Sequence, residues 1–351
     1  TQFDKRYKVE NMQKHNAATG LSIAEEFASV INRRRRKNAL MRVLPICLLI
    51  ALIVLFGIIT PRFLTFSNLY TNLLTQMSVL LVIAVGSTFV ILTGGIDLSI
   101  EGVVGFAGCF LGLLVQNTAN TLDLGLLGVI IAVGVTTLIS TLIGVIHVKL
   151  RLPSFIVTFS AGYIVHGLGV LTYKGIPAAI VDEGVRNLYF EKFLELPYIS
   201  WIAFGILLIG LFLERKTAFG RYIFAIGDNE KIPVMSGVNV GMVKIKAFAF
   251  AGFCMGVAGL MGAAKLGTAQ IYIGQDYLFP TLTAVVVGGT SMSGGKGGVL
   301  NTLIGVLIVT ILENGMVMIG VPSEWQQCVQ GLIIIFMVVL TSSRILRQIV
   351  K

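Results

Sequence analysis

The chain has 351 residues, of which 55% are hydrophobic and only 13% are charged, against about 25% charged in an ordinary soluble domain. This composition excludes a soluble globular protein, because too few charged side chains remain to cover a water-exposed surface. In a soluble protein, a net charge of +10 would favour nucleic acid as a partner. In a membrane protein, what matters is where the basic residues lie, because they indicate which loops face the cytoplasm. We therefore expect no nucleic-acid partner.

The chain begins with a basic leader, residues 1–42, which contains the run RRRRK at 33–37. The positive-inside rule places this leader in the cytoplasm. The apolar stretch that follows could also be read as a secretory signal, but it is too long and lacks a small-x-small cleavage pattern. We interpret it as the first span of a transmembrane domain over residues 43–351.

Hydropathy predicts an all-α, polytopic membrane protein with about ten transmembrane helices, some of them short or broken. The predicted spans are 43–60, 77–92, 100–118, 124–147, 153–173, 199–213, 245–264, 280–293, 298–318 and 327–342. An even number of spans places both termini in the cytoplasm. With this threading, 22 of the 27 Lys and Arg residues fall on the cytoplasmic side, as the positive-inside rule requires.

Two glycine-rich stretches, 86–102 and 288–298, interrupt the apolar segments. One interpretation is a translocation path lined by discontinuous helices, because non-helical backbone at membrane depth needs protein or a water-filled cavity around it. The other is close helix packing through small residues, as in Gly252-x-x-x-Gly256. Beside the first stretch, Asp97 is expected to be the N-cap of the third span.

Two long segments connect the predicted spans. The cytoplasmic segment 214–246 mixes charges, glycines and short apolar stretches, which predicts a small amphipathic helix that docks on another protein. The outer segment 174–200 either receives a partner or is a plain connector.

The sequence contains no pattern typical of catalysis. The segment 289–297 resembles a phosphate-binding loop, but Thr290 stands where the first glycine is required and Gly297 where the metal-binding hydroxyl must be. The histidines and cysteines occur singly, without ligand spacing. We expect no catalytic residue, no metal site and no bound cofactor. The single residues are His15, His147, His166, Cys47, Cys109, Cys254 and Cys328.

Several motifs resemble the permease subunits of bacterial ABC importers for monosaccharides, of the ribose, xylose and galactoside class. They are TGGIDLS at 93–99, LPSFIVT at 152–158, FGRYIFAIGDNE at 219–230, SGVNV at 236–240 and VGGTSMSGGKG at 287–297. The resemblance covers nearly all of the chain from about residue 43, with the motifs in the family's order. It implies a permease subunit in the bacterial inner membrane.

The resemblance also implies the partners. These are ATP-binding cassette subunits that hydrolyse ATP, an extracytoplasmic solute-binding protein, a second permease copy or a related permease, and membrane lipid. The segment that matches the family's coupling helix would contact the ATPase. Its residues are Gly227, Asp228, Asn229, Glu230, Ser236 and Gly237. The transported solute would be a monosaccharide or a related small polar molecule.

Polar residues on or next to the spans are candidates for the solute pathway, since they could hydrogen-bond hydroxyl groups transiently. They are Gln76, Ser87, Ser160, His166, Asn301 and Asn314. An alternative is a secondary carrier in which Glu313 or His166 relays protons.

The sequence departs from the family's pattern at three places, so the identity of the transported solute is not determined. The chain reads YLFP at 277–280 where relatives commonly have Tyr-Glu-Leu-Asp, Glu101 replaces a usual glycine, and Pro233 is unusual in the coupling segment. A related ABC permease for branched amino acids or nucleosides therefore remains a further alternative.

Overall fold

A computed structural model describes residues 43–342 of the chain. Contacts divide the chain into two units, Thr1–Cys47 and Leu48–Lys351. The predicted basic leader, residues 1–42, and the basic residues near the C-terminus lie outside the described residues.

The described chain is mostly helical, as predicted. The helices are α1 (Val43–Ile59), α2 (Leu73–Leu92), α3 (Ile100–Leu114), α4 (Gly125–Leu150), α5 (Ser154–Tyr173), α6 (Glu183–Phe190), α7 (Tyr198–Lys216), α8 (Ala218–Asp228), α9 (Lys231–Met235), α10 (Val240–Leu266), α11 (Leu278–Val287), α12 (Val299–Met318) and α13 (Ser323–Ser342). A π-helix, Ser67–Asn72, leads directly into α2. A helix lies over each of the ten predicted spans, and six helices of the described residues are long and apolar enough to cross a membrane.

Within residues 43–342, the strands form two short antiparallel pairs. The strand β1 (Ala178–Ala179) pairs with β4 (Thr268–Ala269), and β2 (Lys192–Phe193) pairs with β3 (Leu196–Pro197).

Helices α2 and α10 form the centre of the bundle. In each of these two helices, 83% of the residues in the most apolar 18-residue stretch are buried, compared with 28% in the corresponding stretches of α4 and α5. A helix that is apolar all round is stable only where its whole circumference meets other apolar groups. For α2 and α10 those groups are neighbouring helices, whereas α4 and α5 leave large apolar side chains exposed, as lipid-facing helices do.

Small residues allow α4 and α10 to pack closely. A Cβ atom on Gly256 would lie 2.3 Å from the Thr136 hydroxyl, and one on Gly252 would lie 2.4 Å from the Ser140 Cβ. Likewise, Gly86 of α2 packs against Cys254 of α10. For these glycines, the packing interpretation is confirmed.

The chain is not helical between α2 and α3, where it runs into the bundle. The backbone amide of Ile96 donates to the Ser154 hydroxyl, and that of Leu98 donates to Thr158, so the segment follows the first turns of α5. Gly102, in the first turn of α3, then contacts the main chain of Gly162, about halfway along α5. Helix α3 therefore begins near mid-depth of the bundle.

A second non-helical segment connects α10 to α11 and runs back along α3. Ala269 lies against Gly112 near one end of α3, and Gly274 lies against the carbonyl of Glu101 near the other. Helix α11 therefore also begins inside the bundle. The two discontinuous helices, α3 and α11, match the pattern expected of a translocation path.

Some predicted boundaries were wrong. The span 280–293 is helical only to Val287, because Gly289, the residue after the C-cap Gly288, has a φ of +102°. The span 100–118 ends as a helix at Leu114, where the Asn117 side chain donates to the carbonyl of Val115. Asp97 is not the N-cap of α3: Ser99 holds that position, and the Asp97 carboxylate accepts from the Ser99 amide at 2.9 Å.

Candidate functional site

The bundle has two ends that carry different features. Helices α8 and α9 and the glycine-rich segment 288–298 lie at one end, which we call the α9 end. The strand pairs and α6 lie at the other, which we call the strand end.

The predicted coupling segment folds as two helices at the α9 end. The Thr217 hydroxyl caps α8 by accepting from the Gly220 amide, and the chain turns at Asn229 and Glu230 into the five-residue α9. The proline at 233 is tolerated because it occupies the first turn, where its missing N–H has no intrahelical partner.

Helix α9 exposes three large apolar side chains, which we call the α9 patch. Ile232 is 58% exposed, Val234 57% and Met235 87%. A group of exposed apolar side chains on a helix surrounded by polar residues is typical of a docking surface.

Five of the six predicted coupling residues surround the α9 patch and are exposed: Asp228, Asn229, Glu230, Ser236 and Gly237. Glu230 pairs with Lys244 of α10 at 2.9 Å, and Asn229 accepts from the Lys231 amide. These contacts fix α9 relative to α10.

The sixth residue, Gly227, points inward instead. A Cβ atom on Gly227 would lie 2.0 Å from the Leu92 carbonyl oxygen and 2.2 Å from the Gly295 nitrogen. The Gly295 amide donates to the Leu92 carbonyl at 3.0 Å. We call the meeting of Leu92, Gly227 and Gly295 the glycine junction. It joins the end of α8 to the end of α2 and to the glycine-rich segment through main-chain atoms alone.

The glycine-rich segment is a packing element. Gly295 has a φ of +71°, a conformation that other residues adopt only with strain, and its amide is already bonded to Leu92. The Thr290 hydroxyl accepts from the Gly298 amide, and the Glu214 carboxylate at the end of α7 accepts from the Val299 amide. Glu214 thereby caps α12, a contact that sequence reasoning missed.

At the strand end, two predicted pathway residues meet. Asn314 of α12 exchanges hydrogen bonds with Asn68, at 3.0 and 3.2 Å, and its amide nitrogen lies 3.5 Å from the Gln76 side-chain oxygen. Asn68 was not predicted. Its spacing from Gln76 along one helix would have been the only sequence signal.

Gln76 also lines a cavity of about 350 Å³ at the strand end, which we call the Gln76 cavity. Its other polar lining includes Asn72, Thr75, Tyr189 and Lys192, together with Lys265 at the end of α10. Lys265 lies within Coulombic range of Glu313.

The remaining predicted pathway residues lie apart from this group. Ser87 is fully buried in α2, about 16 Å along the helix from Gln76. Ser160 is exposed on α5, and Asn301 lies in the first turn of α12, near the α9 end. His166 of α5 lies within Coulombic range of Glu101.

Two further acidic residues lie near the starts of the discontinuous helices. The Glu101 carboxylate faces the backbone amides of Asp276 and Leu278, where α11 begins. Asp97, in the segment before α3, is buried, and its carboxylate accepts hydrogen bonds from the amide and the hydroxyl of Ser99.

Comparison with known proteins assigns the chain to a family. Residues 69–338 match the family described as branched-chain amino acid transport system, permease component. The ribose import permease of Escherichia coli K12 is 35% identical over 303 residues, covering 84% of this chain and 93% of the relative. The ribose import permease of Bacillus subtilis 168 is 36% identical over 300 residues, covering 83% and 90%. No solved structure matches the chain.

A third relative is the galactose/methyl galactoside import permease of Escherichia coli K12. It is 35% identical over 319 residues, covering 85% of this chain and 94% of the relative. The match spans both discontinuous helices, the α9 end and the strand end. The chain therefore belongs to this family of ABC-transporter permease subunits and is a multi-pass protein of the bacterial inner membrane.

Proposed function

We propose that the chain is the membrane subunit of an ATP-driven importer and that it carries a monosaccharide or a related small polar solute. The chain itself hydrolyses no ATP, and the energy comes from separate ATP-binding cassette subunits that dock on α9. The observation that carries this proposal is the α9 patch, whose apolar side chains are exposed at a polar surface.

The proposed function implies an orientation of the chain in the membrane and a domain arrangement. The α9 end and both termini face the cytoplasm, and ten helices cross the membrane in whole or in part. Residues 1–42 form a basic cytoplasmic leader, residues 43–351 the permease domain, and residues 214–246 the coupling loop. The strand end then faces the extracytoplasmic binding protein, and a second permease copy completes the pathway within the lipid.

The glycine junction provides the mechanism of coupling. When the ATPase subunits move α9, the short turn at Asn229 and Glu230 carries that movement to α8, and the Glu230–Lys244 pair carries it to α10. At the junction, Gly227 presses on the Leu92 carbonyl and on Gly295 without any flexible side chain between them. Movement therefore passes directly to α2 and to the glycine-rich segment that leads into α12.

The choice of solute follows the relatives that are named for ribose and for galactose, rather than the amino acids in the family description. The polar strand end supports a hydroxylated solute, because Gln76 and Asn314 can both donate and accept hydrogen bonds. Proton relay is the weaker alternative, since His166 lies beside Glu101 whereas Glu313 lies beside Lys265.

Co-purification tests the docking surface. The chain is purified in mild detergent from its native membrane, and accompanying proteins are identified by mass spectrometry. We expect an ATPase subunit with the wild type and its loss with Met235→Asp, because a charge in an apolar interface is left unpaired. Met242→Asp is the control, since Met242 is exposed at the same end but outside α9.

Charge reversal at Glu230 is a second variant, expected to weaken docking while the protein stays in the membrane. An ATPase subunit that co-purifies equally with wild type and Met235→Asp would contradict the α9 interface. Transport by the chain alone under a proton gradient would contradict the importer itself.

A further inference from the structure

A second cavity lies at the α9 end, where the end of α4 meets the starts of α5 and α10, and we call it the Lys244 cavity. Its volume is about 280 Å³, and its lining includes His147, Ser154, Phe155, Lys244 and the segment 93–96. We infer that this cavity binds the phosphate group of an anionic phospholipid from the membrane leaflet at the α9 end. The inference concerns the lipid around the chain and is independent of the transported solute.

Three side chains of the lining have hydrogen-bond donors that the described chain does not use. Lys244 Nζ donates to the Glu230 carboxylate at 2.9 Å, and an ammonium group has two further hydrogens. The Ser154 hydroxyl accepts from a backbone amide at 2.9 Å, so its own hydrogen remains for another acceptor. The His147 Nδ1 lies 2.7 Å from the carbonyl oxygen of Leu152, which can only accept. Nε2 of the same ring therefore remains for a further partner and donates when the ring is protonated.

The charges around the cavity favour an anion. Among residues 43–342, no acidic side chain lines it. The adjoining stretch 147–155 contains Lys149 and Arg151, both exposed, and no acidic residue. Glu230 offsets part of the charge on Lys244, but the Glu230 side chain is 55% exposed and that of Lys244 only 18%, so water screens the carboxylate more strongly. Basic pockets of this kind at the cytoplasmic side of transmembrane helices bind anionic lipid headgroups.

A row of exposed aromatic side chains on α5 continues from the cavity and suits the acyl chains of a lipid. Phe155 lines the cavity and is itself exposed, and Phe159 is exposed one turn further along α5. Tyr163 follows after another turn, and its ring meets that of Phe159 edge to face with the centroids 5.0 Å apart. The row is about 12 Å long, and the hydrocarbon of one leaflet is about 15 Å thick. Acyl chains attached to a phosphate in the cavity can therefore pack along α5.

Together, the two surfaces select one class of lipid. A soluble phosphate compound would use the cavity but leave the aromatic row uncovered. A zwitterionic phospholipid would cover the row, but its own ammonium group would lie near Lys244, where like charges repel. An anionic phospholipid satisfies both the basic cavity and the apolar row.

Native mass spectrometry of the full chain in detergent tests the site, because it counts bound lipid molecules. The probes are phosphatidylglycerol, phosphatidylethanolamine and phosphatidylcholine with identical acyl chains, and glycerol 3-phosphate as a soluble phosphate. We expect phosphatidylglycerol to bind at least about fivefold more tightly than the two zwitterionic lipids, and Lys244→Gln to lower its affinity at least about fivefold. Lys246→Gln is the matched control, since Lys246 has the same charge on the same helix, is exposed and does not line the cavity.

Glu230→Gln is a second variant, which keeps Lys244 and removes its carboxylate partner. We expect it to bind phosphatidylglycerol more tightly than the wild type, because the ammonium group is no longer shared. Equal or weaker binding would overturn the contact between Lys244 and the phosphate, and this result is informative even if Lys244→Gln fails to fold.

Equal affinities for the three lipids, or equal phosphatidylglycerol affinities in Lys244→Gln and Lys246→Gln, would overturn the site. Glycerol 3-phosphate that displaces phosphatidylglycerol from the wild type and binds less to Lys244→Gln would overturn the lipid as the ligand and assign the cavity to a soluble phosphate.

Discussion

The glycine junction predicts that Gly227→Ala uncouples transport from ATP hydrolysis. The added Cβ would lie 2.0 Å from the Leu92 carbonyl oxygen and 2.2 Å from the Gly295 nitrogen. Because Cβ atoms do not approach other heavy atoms more closely than 3.0 Å, the main-chain segments must separate by about 1 Å. Both neighbours are backbone, so no side chain can turn aside to relieve the contact.

The energetic cost follows from these contacts. Inserting a methyl group into a packed site costs about 1–3 kcal/mol. Separating the segments also weakens the Gly295–Leu92 hydrogen bond of 3.0 Å, which contributes about 0.5–1.5 kcal/mol. A change of about 1–3 kcal/mol in the coupling between two sites corresponds to roughly 5–150-fold in the coupled equilibrium.

The assay compares solute uptake and ATP hydrolysis in the same proteoliposomes, made with the ATPase subunits that co-purify. We expect Gly227→Ala to assemble and to hydrolyse ATP while its uptake per ATP falls at least about fivefold. Gly205→Ala is the matched control, since a Cβ on Gly205 of α7 meets nothing within 4 Å. Uptake per ATP equal to that of the control would refute the role of the junction.

Two further predictions concern stability, each read as a melting temperature in detergent. Asn314→Leu leaves Asn68 without its side-chain partner and should destabilise by about 1–3 kcal/mol, and Asn68→Leu in the same chain should recover part of the loss. Gly256→Val should also lower the melting temperature, because its Cβ would lie 2.3 Å from Thr136, and an unchanged value would contradict the packing of α4 on α10.

The positions of the helices could be predicted from the sequence, because each long run of apolar residues indicates a membrane helix. Each predicted span has a helix, including the short α11, since about ten apolar residues in a row need protein or lipid around them. The exact ends could not be predicted, because they depend on contacts between distant segments. At the end of α3, for example, the Asn117 side chain donates to the carbonyls of Gly112 and Val115.

The candidate functional sites were likewise predictable only in part. The coupling role of segment 214–246 stays a prediction, but its position was predictable because its charges and glycines stand out between apolar spans. The close contacts of Gly227 could not be predicted, because its partners, Leu92 and Gly295, are separated from it by long stretches of chain. The pathway residues were chosen for polarity alone, which cannot distinguish Ser87, buried in a helix interface, from Gln76, which lines a cavity.

Helix α2 reaches both the Gln76 cavity and the glycine junction. It begins beside the Gln76 cavity and ends at Leu92 in the glycine junction, about 24 Å away at 1.5 Å per residue. Its most apolar window is 83% buried, so neighbouring helices restrain it along most of its length. A buried helix held in this way moves as a rigid body more readily than it bends, because close-packed interiors transmit displacement. A shift imposed at Leu92 by Gly227 would therefore be carried to Gln76, and on the proposed function this is how docking at the α9 end would act on the predicted solute pathway.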